Sequence, residues 1–330
     1  MKVAAAAFAA TLVLATGSAF AQIPDPPPTA VQAAKPSVFR SGSALVSLNV
    51  TVQDTSAKYV SGLQPADFAV YEDGVKQDVQ FFESNAVPVD LIVLIDTSSS
   101  MIDKIDIVHD AASGFLKTLR PGDRGAVVGF ADSVSILQPL TPDHTLLEQA
   151  VRGTVARGST AMNNAIYVSL KQFGLGARQE GSPRRQAIVV LSDGEDTSSI
   201  VSVDDVLSLA RRMGVNIYTV ALQSKFAAQS ERRSFSNADY AMKTLARETG
   251  AQSFFPAAGQ LKSVYGSIAT ELANQYSIGY VPANLRPDGR FRRVVVQILN
   301  HAGLRPRTRA GYMADGTSTA MAPPHVPQPR

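Results

Sequence analysis

Between residues 89 and 274, uninterrupted apolar runs alternate with stretches of helical periodicity, and this alternation constrains the chain more than any other feature. The first run, Val89-Asp90-Leu91-Ile92-Val93-Leu94-Ile95, shows almost no polar alternation, as expected of a strand covered on both faces. A helical pattern follows at 103–119, then strands at 126–130 and 134–137 and helices at 146–151 and 161–173. The succession continues with a strand at 187–191, a helix at 203–213, a strand at 216–221, a helix at 239–248, a strand at 252–255 and a helix at 260–274. Such an order predicts a doubly wound α/β region around a mostly parallel sheet.

The flanks have a different character. Residues 44–53 alternate and are rich in β-branched side chains, while 67–72, the Asp73-Gly74 turn and 75–82 read as a hairpin. Strand patterns return at 275–281, 292–299 and 304–312. Each flank offers about three strands, too few to close a core alone, so one smaller all-β domain built from both flanks is expected, with the α/β region inserted in it. The expected limits are 38–87 and 275–314 for the β domain and 88–274 for the insert.

The ends read as processing and spacer segments. Residues 1–21 combine Lys2, an apolar run and a Ser18-Ala19-Phe20-Ala21 ending, the pattern of a signal peptide cut near Ala21. A Pro-rich linker at 22–37 and a disordered tail at 315–330 are expected. A periplasmic or secreted location follows, with no membrane span in the remainder. Cysteine is absent and histidine occurs 4 times, which excludes disulfides, thiolate metal sites and Cys nucleophiles. A formal charge of +3 gives no basic field for a nucleic acid partner. Any metal must therefore be held mainly by oxygen.

Oxygen donors gather at one place in the expected fold. Asp96-Thr97-Ser98-Ser99-Ser100 follows the first buried strand, Gly158-Ser159-Thr160 precedes the helix at 161, and Ser192-Asp193-Gly194-Glu195-Asp196 closes the strand at 187–191. All three belong to the carboxyl edge of the sheet, where open α/β folds bind ligands. Asp96, Asp193, Ser98, Ser100 and Thr160 offer two carboxylates and three neutral hydroxyls, a set suited to a hard divalent cation, with Mg²⁺ first and Mn²⁺ or Ca²⁺ possible. Two carboxylates only balance such an ion, so it should attract an anionic oxygen from outside. Singly, Asp96, Ser98 and Ser100 suit an Asx turn or helix cap equally well. Glu195 and Asp196 read as loop or helix-start acids, and the Arg pairs at 184–185, 211–212, 232–233 and 292–293 as solvated surface.

This constellation resembles the von Willebrand factor A (VWA) domain, whose metal-ion-dependent adhesion site (MIDAS) uses D-x-S-x-S, a distant Thr and a distant Asp. The match falls on Asp96, Ser98, Ser100, Thr160 and Asp193, in the family's order, across about residues 89–274. Ser159 stands where the family often has a second Gly. Pro65-Ala66-Asp67-Phe68, Tyr71-Glu72-Asp73-Gly74, Gln275 to Tyr280 and Phe291-Arg292-Arg293 are similar to the exported bacterial subfamily first noticed in acidobacteria. The resemblance implies a Rossmann-like fold, direct metal ligation by the Ser and Thr residues, Asp ligation partly through water, and a shell completed by a Glu or Asp of a protein partner.

The resulting expectation is a non-enzymatic, exported, metal-dependent protein-binding module serving adhesion or assembly. A structural envelope protein with a stabilising metal is the alternative, and a Mg²⁺-dependent hydrolase a further one. The D-x-D-x-T phosphatase pattern would need an acid where Ser98 stands, and no G-x-S-x-G, H-E-x-x-H or phosphate-loop motif occurs. Residues 223–238, long for a βα connection and carrying Lys225, Arg232 and Arg233, are expected to help choose an acidic partner.

Overall fold

The structure, a computed structural model, describes residues 45–84, 87–176, 184–193, 196–222 and 237–314. The segments expected to be a signal peptide and a linker, residues 315–330, Glu195 and residues 223–236 with Lys225, Arg232 and Arg233 lie outside the described residues.

Four strands precede the α/β region: β1 (Val46–Gln53), β2 (Phe68–Glu72), β3 (Val75–Gln77) and β4 (Val79–Ser84). The α/β region runs β5 (Val89–Asp96), α1 (Ile105–Leu116), β6 (Arg124–Phe130), β7 (Val134–Thr141), α2 (His144–Arg152), α3 (Met162–Gly176), β8 (Arg185–Ser192) and α4 (Val203–Met213). It continues with β9 (Asn216–Ala221), α5 (Asn237–Glu248), β10 (Ser253–Phe254) and α6 (Leu261–Ala273). The chain closes with β11 (Tyr276–Tyr280), β12 (Phe291–Ile298), β13 (Arg305–Arg307) and β14 (Gly311–Met313).

The central sheet has six strands in the order β10-β9-β8-β5-β6-β7, parallel except for β7. Successive residues of β5 point to opposite faces and all are buried. Leu91, Val93 and Ile95 pack with α1, α2 and α6, whereas Ile92 and Leu94 pack with α3, α4 and α5. This is why β5 reads as a continuous apolar run. Connections leave β5 in one direction toward β6, while β8 lies on its other side, so the strand order reverses beside the carboxyl end of β5.

Strands from both flanks interleave in two antiparallel sheets of four, β13-β1-β11-β4 and β14-β12-β2-β3. Val46, Leu48 and Val50 of β1, with Ile278 of neighbouring β11, pack with Phe68, Val70, Val294 and Val296 in a shared core. β12 shows the half-buried alternation expected of an outer strand face. The α/β region is thus inserted between β4 and β11.

Two expected strands are each divided. The hairpin arm at 75–82 breaks at Asp78: β3 pairs with β2, and β4 crosses to the other sheet and pairs with β11. Buried Gln77 marks the corner, its amide donating to Val75 O at 2.9 Å and accepting from Ala283 N–H at 2.9 Å. The strand expected at 304–312 also divides, β13 pairing with β1 and β14 with β12. Between them the backbone of Thr308 and Arg309 lies against Gly250, where a Cβ would stand 2.5 Å from Arg309 N and φ is +79°. Arg309 donates from there to Ser47 O at 2.9 Å and Arg211 O at 3.0 Å, which holds the β domain against α4.

Of the Arg pairs expected to be solvated surface, Arg212 and Arg293 are exposed and 232–233 lies outside the described residues, but Arg184, Arg185, Arg211 and Arg292 are at least partly buried and engaged. Arg185 is buried and donates to Val87 O (3.1 and 2.8 Å), Leu272 O (3.0 Å) and Gln275 O (3.3 Å), clasping both chain crossings between the two regions. Burial pushes its pKa down to about 10, which leaves it charged at neutral pH. Arg184 pairs with Asp90, Arg211 with Glu248, and buried Arg292 with Asp288. Buried Glu271 of α6 likewise accepts from Tyr218 (2.7 Å) and Tyr59 (3.0 Å) and is ion-paired with Arg307 at 2.6 Å, so α6 is fastened to the β domain. Among the described residues no helix is long and apolar enough to cross a membrane.

Candidate metal centre

β5 delivers Asp96 to the end of the sheet with its carboxylate buried. The turn that follows is pinned to β6, since Thr97 donates through its N–H (2.8 Å) and Oγ1 (3.0 Å) to Phe130 O. Asp96 Oδ1 accepts the Ser98 N–H at 2.8 Å, and Oδ2 accepts from Ser192 Oγ at the end of the adjacent β8. Burial raises the Asp96 pKa above the usual carboxylate value and the nearby Asp193 charge adds to this, while the two Ser donors pull the other way.

A short 3₁₀ turn at Ser99–Met101 brings Ser98 Oγ and Ser100 Oγ to 3.0 Å. Ser100 Oγ donates to Asp193 Oδ1 at 2.6 Å, so its proton is committed and Ser98 is the donor to Ser100. Four of the five expected residues therefore form one bonded group: Asp96 through the Ser98 N–H, then Ser98, Ser100 and Asp193. Thr160 stands on the neighbouring loop. Gly158 O accepts from Ser99 N–H at 3.0 Å and joins that loop to the 3₁₀ turn. Gly158 has φ +82°, and a Cβ there would lie 3.0 Å from Asp132 Oδ1.

Two contributors, Ser192 and Lys104, escaped the sequence reading, and Asp196, read there as a loop or helix-start acid, supports the site as well. Ser192 carries the hydroxyl on Asp96 and directly precedes Asp193. Asp196 accepts the Asn163 N–H of α3 at 2.7 Å and the Ser199 N–H at 2.9 Å, and Thr160 O accepts from Thr197 and Ser198 at 2.9 and 3.1 Å. Asp196 thereby caps α3 from a separate loop and fixes where Thr160 enters it. Lys104, just before α1, places its ammonium on Asp193 Oδ2 and donates to Ser100 O at 3.3 Å. Spacing from the D-x-S-x-S segment could have flagged Lys104, but nothing in the sequence says which acid it meets.

The donor set is all oxygen, and no group of three or more His, Cys, Asp or Glu side chains suited to a metal occurs among the described residues. A buried carboxylate whose donors are a peptide N–H and a hydroxyl, beside a second carboxylate, fits a hard cation. Asp96, Ser98, Ser100, Thr160 and Asp193 are the residues that would hold it. Bound there, it would supply a positive charge facing solvent at the sheet edge.

Residues 90–259, just over half of the chain, match the von Willebrand factor type A domain. The chain belongs to this family. VWA domains are in general protein-interaction modules, some with a MIDAS metal site. The chain is 28% identical over 199 residues to a UPF0353 protein of Mycolicibacterium paratuberculosis, covering 55% of this chain and 60% of that protein. It thus spans less than two thirds of that curated relative. Among solved structures, a von Willebrand factor type A protein from Catenulispora acidiphila aligns over 83% of this chain and 75% of its own, at 13% identity and a TM-score of 0.49. Proximal thread matrix protein 1 of the mussel byssus, with zinc in its MIDAS motif, aligns over 61% of this chain and 50% of its own, at 16% identity and a TM-score of 0.46.

Proposed function

We propose that this VWA chain is an exported protein-binding module that captures a Glu or Asp side chain of a protein partner through a divalent cation, Mg²⁺ foremost, held by Asp96, Ser98, Ser100, Thr160 and Asp193. The observation that carries this reading is the bonded group of carboxylates and hydroxyls at the point where the strand order reverses. Its setting supports a protein partner. Ile102, Val155 and Ile200 are 60%, 72% and 95% exposed on segments adjoining the site, and aliphatic side chains around a charged centre suit a macromolecular surface. Export rests on the pattern of residues 1–21, and a periplasmic or secreted location follows from it.

Chemistry of the site favours binding over catalysis. A hydrolase would need a group able to take a proton near neutral pH beside the cation. Among the described residues, His109 lies on the inner face of α1 against Thr154, His144 opens α2, and His301 sits against Asp67 in the β domain. Titration calorimetry with Mg²⁺ on the full chain and on Asp96→Ala tests the metal site: the variant should lose binding and keep its circular dichroism spectrum. A crosslinked pull-down from the envelope fraction, with Mg²⁺ and with EDTA, tests the bridge. Capture that survives chelation would reject it, and wild-type Mg²⁺ affinity in Asp96→Ala would reject the site.

A further inference from the structure

We propose that Lys104 is a tethered competitor of the metal, an ammonium that pairs with Asp193 when no cation is bound and has to leave when the cation binds. The inference rests on the metal-binding reading above. Lys104 is not a surface lysine by environment: its side chain is 12% exposed and that of Asp193, its partner, 3%. The ammonium touches Asp193 Oδ2 and Ser100 O, two positions of the D-x-S-x-S and distant-Asp set. Its backbone is fixed as well, with Lys104 N–H donating to Met101 O at 2.9 Å at the entrance to α1.

Charge then decides what binding requires. Asp96 and Asp193 carry two negative charges and Lys104 returns one positive, so the metal-free group keeps a net charge of one negative with both Asp193 oxygens engaged by the chain's own donors. A divalent ion coordinated beside a retained ammonium would face a like charge within a few ångström, in surroundings where Asp96 is already fully buried. A lysine can withdraw, because its ammonium rides on a flexible four-carbon stem, whereas a guanidinium in a fixed fork would stay. Metal binding is therefore an exchange of one cation for another, and the measured affinity is the intrinsic affinity reduced by the release of Lys104. The same exchange keeps Asp193 paired when no metal is bound, while Asp96 is held by the Ser98 N–H and the Ser192 hydroxyl.

The experiment is a calorimetric titration of the full chain with Mg²⁺ alone, comparing wild type, Lys104→Met, Lys104→Arg and Asp96→Ala, with thermal unfolding in EDTA alongside. Lys104→Met should bind Mg²⁺ about 10-fold more tightly, the order expected when one opposing charge leaves a partly buried site. It should also melt below wild type in EDTA, with the gap closing at saturating Mg²⁺. Lys104→Arg, which keeps the charge, should bind no more tightly than wild type. If Lys104→Met does not fold in EDTA, Lys104→Gln, neutral but still a donor, is titrated in its place. Equal or weaker Mg²⁺ affinity in the neutral variant overturns the proposal while wild-type binding and its loss in Asp96→Ala leave the metal site standing. No Mg²⁺ binding by any of the proteins overturns both.

Discussion

Both ends of the central sheet carry buried charge, and they handle it in opposite ways. At the amino edge Asp90 accepts from Arg124 at 2.9 and 2.8 Å and from Arg184 at 2.7 Å, while Arg185 spends its guanidinium on carbonyls of Val87, Leu272 and Gln275. At the carboxyl edge Asp96 and Asp193 are met by Ser98, Ser100, Ser192 and one lysine. Planar guanidiniums in fixed forks cannot be exchanged without leaving several acceptors bare. Hydroxyls and an ammonium can turn or swing away and leave oxygens free for another cation. The first arrangement locks the fold, and the second keeps a site available within it.

Breaking the amino edge should have the largest effect. Arg185→Met strands the carbonyls at both crossings between the α/β region and the β domain, and should cost about 3–5 kcal/mol. Asp90→Asn should cost somewhat less, about 2–3 kcal/mol, because Arg124 and Arg184 reach partial solvent and can rehydrate. Urea unfolding measures both. The comparison predicts that neither loss changes when EDTA replaces Mg²⁺, and a metal-dependent loss at Arg185 would break it.

At the carboxyl edge stability should follow the metal itself. Mg²⁺ at 100 times its Kd should add about 2.7 kcal/mol by mass action, and EDTA should remove it. The readout is the shift of the unfolding midpoint with Mg²⁺ concentration, which should vanish in Asp96→Ala. A shift that persists in this variant would place the stabilising ion elsewhere.

Asp196 tests how the site is mounted. Asp196→Ala frees the Asn163 N–H of α3 and the Ser199 N–H, and should cost about 1–2 kcal/mol as the loss of a cap. Thr160 enters α3 beside that cap, so Mg²⁺ affinity should fall as well, by about 3- to 10-fold on the scale of outer-shell support. Unchanged affinity would show that Thr160 is held by its own loop.

How much of this was legible in the sequence depends on whether an interaction is local. The β5 run announces its double burial because every residue in it must be apolar or paired, and Asp96, Ser98 and Ser100 lie in one short turn. Ser192 meets Asp96 only because β8 pairs beside β5, a neighbour relation that local pattern does not encode. The break at Asp78 has the same origin: 75–82 has strand propensity throughout, and the reason to divide is β11, far along the chain, waiting in the other sheet. Arg185 could not be told from a surface arginine, since its acceptors are backbone carbonyls and carbonyls have no sequence signature. VWA membership carried the site further than periodicity could, because the resemblance links segments that the fold alone brings together.

The smallest expected effect lies on the α1 side, away from both edges, and sharpens the comparison by showing charge that the fold excludes altogether. His109 is buried on the inner face of α1, and its Nε2–H donates to Thr154 Oγ1 at 2.7 Å, the Thr154 hydroxyl proton being committed to Val151 O at 2.9 Å. Burial lowers its pKa below the ordinary 6.5; Asp106 and Asp110 work against that shift, and Arg152 reinforces it. The folded protein thus holds the neutral ring where the unfolded chain already takes up a proton. By linkage, stability is full above pH 6.5 and is lost progressively as pH falls from there through the folded-state value, below which the loss levels off. His109→Gln keeps a donor for Thr154 and cannot titrate, so the difference between its urea midpoint and that of wild type should change across this window and be constant above it. A constant difference from pH 7.5 to pH 5 would show that α1 opens to hydrate the ring, and would place this side of the molecule with the adaptable carboxyl edge.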